Sequence, residues 1–148
     1  MDPEARTLWF AFFNEIGILA QLSRARMEAR LPDGLLLPHF AVAAHLARRP
    51  EGQTPQALAR AFQVPKNTMT HTLAGLERHG FVAHAPNPAD RRSKIVRLTE
   101  AGHAFREAAV ERIGPDLDAI AAALPDVDLA RLVESLAAIR ATMDAARD

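Results

Sequence analysis

Hydrophobic positions recur at helical spacing along most of the chain, and the one interruption of that rhythm predicts a pair of strands. Leu8, Phe12, Ile16, Leu19 and Leu22 follow one another three or four residues apart, which predicts a first helix from Pro3 to about Ala29. Pro3 sits at an early position, where its missing amide does no harm. Trp9, Phe10 and Phe13 widen the apolar stripe beyond what one side of a small core needs, so the surplus either meets another subunit or fills the monomer's own core. Leu31-Pro32-Asp33-Gly34 breaks this helix. Phe40, Val42, Ala43, Leu46 and Ala47 give a second helix, Pro38 to Arg48, its apolar face, and Arg49-Pro50-Glu51-Gly52 ends it. Thr54-Pro55 reads as an N-cap followed by proline at the first helical position, and Leu58, Ala59 and Phe62 mark the buried side of a short third helix. After a turn at Gln63-Val64, a fourth helix runs from Pro65 to about His79 and is stopped by Gly80. Two short helices joined by a tight turn form a helix-turn-helix.

The period then changes from helical to alternating. Gly80 to His84 and Ile95 to Leu98 read as strands bracketing a loop, Ala85 to Ser93, in which Asn87-Pro88-Ala89-Asp90 supplies turn formers. Arg91, Arg92 and Lys94 make the tip of this hairpin wing cationic. Thr99 caps the next helix, and Glu100 complements the positive end of its dipole. That helix passes through Phe105, Val110 and Ile113, kinks or breaks at Gly114-Pro115, and resumes through Leu117, Ile120 and Leu124 to Pro125-Asp126. Leu129, Leu132, Val133, Leu136 and Ile139 define a last helix. The predicted fold class is mainly α with a small β-hairpin wing (α+β), a winged helix-turn-helix with long N- and C-terminal dimerisation helices. Those outer helices lack a core of their own, and packing them against the same helices of a second copy gives a two-fold homodimer.

Composition narrows the chemistry. The 148 residues include no cysteine, which excludes a disulfide framework, a cysteine zinc site and a thiol redox switch. The start lacks the basic region of a signal peptide, and the apolar run Leu8 to Phe13 is soon interrupted by Asn14 and Glu15, so a cytoplasmic protein with no membrane partner is expected. Formal net charge is zero, but its distribution is uneven. Residues 60–98 carry seven basic and two acidic side chains, whereas residues 99–148 carry five and ten. A basic middle joined to an acidic tail fits a protein that turns one face towards phosphate.

The fourth helix indicates which face that is. At about 100° per residue, Met69, Leu73 and Leu76 fall on one narrow arc and face the core. Asn67, His71, Ala74 and Arg78 point the other way, with Thr68, Thr70 and Gly75 on the flanks. This outward face is slim and polar where a merely solvated helix more often carries Glu and Lys. Asn can bond adenine bidentately, Thr methyls can touch the thymine methyl, and Ala74 lets the backbone come close. Plain solvent exposure is the competing reading. Candidate DNA-binding residues are Lys66, Asn67, Thr68, Thr70, His71 and Arg78 on the helix and Asp90, Arg91, Arg92 and Lys94 on the wing, with His84 a further polar member of the face.

Asp90-x-Arg92, an aliphatic at Val96, then Leu98-Thr99 and Gly102 resembles the wing signature of the MarR family of bacterial winged-helix transcription regulators. Leu35-Leu36-Leu37-Pro38-His39-Phe40 resembles the family's entry to its second helix, and the likeness runs from about Leu35 to Gly102. It implies one MarR-like domain over residues 1–148, with a winged helix-turn-helix DNA-binding region at 35–102 and helical dimerisation regions at 1–30 and 103–148. It further implies that the helix beginning at Pro65 is the recognition helix, that Arg92 enters the minor groove, and that Asp90 orients Arg92 through a salt bridge. Two positions depart from the family pattern: His71 stands where arginine is frequent, and Pro65 replaces the usual serine cap. The resemblance implies a homodimeric repressor of a double-stranded, pseudo-palindromic operator, bacterial and nucleoid-associated when bound. Release would follow binding of a small aromatic or phenolic effector between the helical and winged regions. Phe12, Phe13, His39 and Phe40 are candidate lining residues for that effector, with core and interface packing as the competing reading.

No cofactor is expected, and an enzyme finds no support. The six histidines, His39, His45, His71, His79, His84 and His103, form no metal-binding helix motif, and the sequence has no Gly-rich phosphate loop and no nucleophile elbow. Two alternatives stay open: a winged-helix module used for protein contacts, and a metal-responsive regulator whose histidine and carboxylate ligands converge from different helices.

Overall fold

The computed structural model describes residues 2–146. The order of elements is α1 (Pro3–Glu28), α2 (Leu37–Ala47), α3 (Pro55–Ala61), α4 (Lys66–Arg78), β1 (Val82–Pro86), β2 (Lys94–Leu98), α5 (Glu100–Ala123) and α6 (Leu129–Ala145). Contacts divide the chain into two compact units at Gly114/Pro115. α5 nevertheless stays helical across Pro115, so the predicted break does not occur. A proline removes one backbone bond, and the alanine-rich sequence after it has the propensity to keep the helix going.

The core of the first unit is a helix-turn-helix closed by the hairpin. Val42, Ala43 and Leu46 of α2, Leu58 and Ala59 of α3, and Met69, Leu73 and Leu76 of α4 form one cluster with Val82, Val96 and Phe105. Local chemistry sets the ends of these helices. Thr54 Oγ1 accepts the N–H of Ala57 at 3.1 Å, as an N-cap should. α4 ends in a Schellman motif: Gly80 N–H bonds Glu77 O, Phe81 N–H bonds Leu76 O, and Gly80 takes a φ of +70°, which is open to glycine at no steric cost. Thr99 has two roles, donating its hydroxyl to Gly80 O at 2.7 Å and accepting Gly102 N–H at 3.0 Å.

The hairpin is antiparallel, with Val82 opposite Leu98, His84 opposite Val96 and Pro86 opposite Lys94. β1 starts later and runs further than its sequence indicates, ending in a proline that an edge strand of a two-stranded sheet tolerates. The loop therefore shortens to residues 87–93. Gln53 adds a bridge to Val96 from the other side, Gln53 N–H to Val96 O at 3.0 Å and Val96 N–H to Gln53 O at 2.8 Å. His45 Nε2 donates to Gln53 Oε1 at 2.7 Å, so α2 holds this bridge and with it the root of the wing.

α1 and α6 contain no buried residue. Leu8, Phe10, Leu19 and Leu22 are exposed on α1, as are Leu129, Leu132, Val133 and Leu136 on α6.

Candidate nucleic-acid interface

The N-terminal turns of α3 and α4 and the wing enclose an open cleft of about 590 Å³. Lys66 and Thr70 of α4 and Asp90, Arg92, Ser93 and Lys94 of the wing line it, with Thr54, Gln56, His84 and Asn87 completing the wall. Three permanent cations face one carboxylate there. Lys66, Thr70, Asp90, Arg92 and Lys94 were singled out by sequence and are brought together. Asn67, Thr68 and His71 are exposed on α4 beside the cleft, Arg91 is exposed at the loop tip, and Arg78 is exposed at the far end of α4, roughly 18 Å from Lys66 at helical rise. Thr54, Gln56, Asn87 and Ser93 escape sequence reasoning as wall residues. Thr54 and Asn87 are visible there only as a cap and a turn former, because tertiary closure is what sets the start of α3 against the wing.

Hydrogen bonds limit what these side chains can offer a ligand. Thr70 donates its hydroxyl to Lys66 O at 2.9 Å, so the oxygen is left to accept. Asn67 Oδ1 takes the N–H of Thr68 at 2.9 Å, one of the amides that the start of α4 leaves unpaired because Pro65 has no capping side chain. The donors of the Asn67 amide stay uncommitted to that bond. On the wing, Asn87 Nδ2 donates to Ser93 Oγ at 2.7 Å, Asn87 Oδ1 accepts Ala89 N–H at 3.0 Å, and Ser93 N–H bonds Asp90 O at 3.0 Å. Asp90 Oδ1 accepts the backbone N–H of Arg92 at 2.9 Å. Asp90 thus acts on the loop backbone, and among the described residues its carboxylate makes no ion pair with the Arg92 guanidinium. His84 Nε2 of β1 lies 3.8 Å from Glu77 Oε1 of α4.

The four candidate effector residues fall into two environments. Phe12 and Phe13 form an aromatic cluster with Trp9 on α1, ring centroids 5.4 to 5.9 Å apart. Phe40 packs against the core of the first unit, and His39 lies half-buried at the start of α2. Among the described residues, no group of three His, Cys, Asp or Glu side chains could hold a metal ion. No helix of the described residues is long and apolar enough to cross a membrane.

The MarR family model matches residues 33–93, the stretch that contains α2 to α4, β1 and the wing loop. A transcriptional regulator from Escherichia coli O111:H-, HosA, is 36% identical over 106 residues, covering 72% of this chain and 76% of its own. The chain belongs to the MarR family. As a MarR-family member it is a transcription regulator, and it is this membership that sets the enzyme reading aside. Solved structures agree on the fold. BldR from Sulfolobus solfataricus superposes with a TM-score of 0.74 at 23% identity, over 96% of this chain and 99% of its own. A mutant MarR from E. coli complexed with operator DNA superposes with a TM-score of 0.68 at 21% identity, over the full length of both chains.

Proposed function

We propose that this MarR-family chain is a homodimeric repressor that binds a pseudo-palindromic DNA operator through α4 and the wing and is released by a small aromatic or phenolic effector in the bacterial cytoplasm. The cleft carries the reading: Lys66, Arg92 and Lys94 outnumber the one carboxylate, Asp90, on a wall that also offers the hydrogen-bonding side chains of Thr54, Gln56, Thr70, Asn87 and Ser93, a composition suited to phosphate and base edges. The solved MarR with operator DNA, which shares the fold, supports it. Lys66, Arg91 and Lys94 take phosphate; Asn67, Thr68, Thr70 and His71 read bases; Arg92 enters the minor groove; Arg78 holds the flanking backbone. Titration of a wild-type-selected duplex and a random duplex at two salt concentrations tests this. Binding to the selected duplex should be at least about 1,000-fold tighter and both should weaken steeply with salt. Equal, weak binding to the two duplexes would instead favour a module for protein contacts.

The bare apolar stripes of α1 and α6 support the dimer, because a chain alone in water rarely leaves two helices without a buried residue. Two recognition helices related by a two-fold axis would meet successive major grooves about 34 Å apart, so half-sites would lie about 10 base pairs centre to centre. Leu132→Asp combined with Leu136→Asp should convert the dimer to a monomer in sedimentation, with loss of operator binding. A double variant that stays dimeric would show that α6 is not part of the interface. Phe12, Phe13, His39 and Phe40 remain our candidates for the effector crevice.

A further inference from the structure

His39 joins two parts of the fold, and neither of its contacts belongs to the DNA face. Its Nδ1 accepts the N–H of Leu36 at 2.9 Å, an amide at the start of α2 that has no helical partner. The neighbouring amide, Leu37 N–H, goes to Glu28 Oε1 of α1 at 2.9 Å, and Arg24 holds the same carboxylate at 3.0 Å. On its other edge the imidazole fills the space that a Cβ on Gly75 would occupy, with Nε2 and Cδ2 nearest. Gly75 lies inside α4 and is buried, although helical periodicity puts it on a flank. Its carbonyl accepts from His79 Nδ1 at 2.9 Å; His79 stacks on Phe81 at 5.5 Å, and Phe81 stacks on Phe105 at 4.5 Å. An unbroken series of contacts therefore runs from α1 through His39 to the middle of α4 and on to α5.

We infer that His39 is a positioning residue for the recognition helix and that it seats α4 only as the neutral imidazole. Nδ1 accepts the Leu36 amide only while it carries no proton; protonation sets a donor against a donor. Burial disfavours the charged ring most, His79 and Arg78 of α4 oppose it further, and Glu28 of α1 favours it. The balance lowers the His39 pKa below the ordinary histidine value. A group lowered in this way contributes stability that is present above its unfolded-state pKa and is lost as pH falls through the folded value. Acidification therefore loosens the seat of α4.

The inference rests on the operator reading, and the full chain tests both. Anisotropy with the wild-type-selected duplex from pH 8 to pH 5 should show wild-type affinity falling on acidification. His39→Gln keeps an oxygen able to accept the Leu36 amide but cannot titrate. The affinity of His39→Gln should fall about tenfold less than that of wild type between pH 8 and pH 5. Parallel profiles for the two proteins would overturn the inference. A second measurement needs neither DNA nor a variant. In the NMR spectrum of the wild-type protein, the Gly75 and Leu36 amides should shift with the same apparent pKa as the His39 ring, and a ring that titrates without moving Gly75 would overturn it too. If wild type selects no duplex at all, the operator reading fails, and the Gly75 shift still decides the role of His39.

Discussion

Gly102→Ala is expected to destabilise the folded protein by roughly 2–3 kcal/mol, the cost of forcing extra volume into a packed site. Helix propensity alone gives the opposite sign, since alanine is better than glycine inside a helix by about 1 kcal/mol. Packing should win, because a Cβ at Gly102 would fall on the carbonyl oxygen of Phe81 and lie 2.6 Å from Leu98 Cδ1. Leu98 could turn aside, but the Phe81 carbonyl is fixed, accepting Thr99 N–H at 3.0 Å within the segment where Phe81 N–H is tied to Leu76 O at 2.9 Å. The strain would enter at the point where the end of α4, the start of β1 and the first turn of α5 meet. Gly114→Ala is the control, since a Cβ there meets nothing within 4 Å, and it should be neutral or slightly stabilising. Urea unfolding should lower the midpoint of Gly102→Ala with an unchanged slope. A midpoint at or above wild type would mean that the Phe81 carbonyl can move.

What could be read from the sequence follows the range of each signal. Met69, Leu73 and Leu76 are buried where helical periodicity puts them, because three apolar side chains on one arc leave one way to face a core. Thr72 and Gly75, buried on the same helix, were not legible, since periodicity registers apolar residues and these two are a hydroxyl bonded back to Thr68 O and a glycine making room for an imidazole. The bridge from Gln53 to Val96 involves one residue of a strand too short to have a period. At Gly114-Pro115 local punctuation predicts a kink or break; the helix does not break, because the propensity of the flanking residues carries it across Pro115. In the cleft, the cations were legible because charge is visible without a fold. Thr54 and Gln56 were not, because only the packing of α3 brings them to the wing. Asp90 and Arg92, which the wing signature picks out, line the cleft together, and the link between them runs through the backbone amide.

That link changes the outcome expected at Asp90. Its carboxylate closes an Asx turn on the Arg92 amide at 2.9 Å in a loop already pinned by Asn87 and Ser93, so an acceptor atom at this position holds the loop and the charge is incidental to it. A carboxylate among Lys66, Arg92 and Lys94 also repels the phosphates these cations would bind. Asp90→Asn keeps an acceptor oxygen and discards the repulsion, so it should bind the operator a few-fold more tightly than wild type. Asp90→Ala discards both, and losing one hydrogen bond of about 1 kcal/mol should leave its specific binding about fivefold weaker than that of Asp90→Asn. Arg92→Ala should cost roughly 1–3 kcal/mol on the operator, most where its flanks are A·T-rich and the minor groove narrow. Lys94→Ala should weaken all duplexes alike and reduce the salt slope by about one. Titrations of the four variants against selected and random duplexes decide between the two roles of Asp90. If Asn and Ala weakened binding equally, the carboxylate charge would matter after all, and a direct salt bridge to Arg92, formed on DNA, would be the better account.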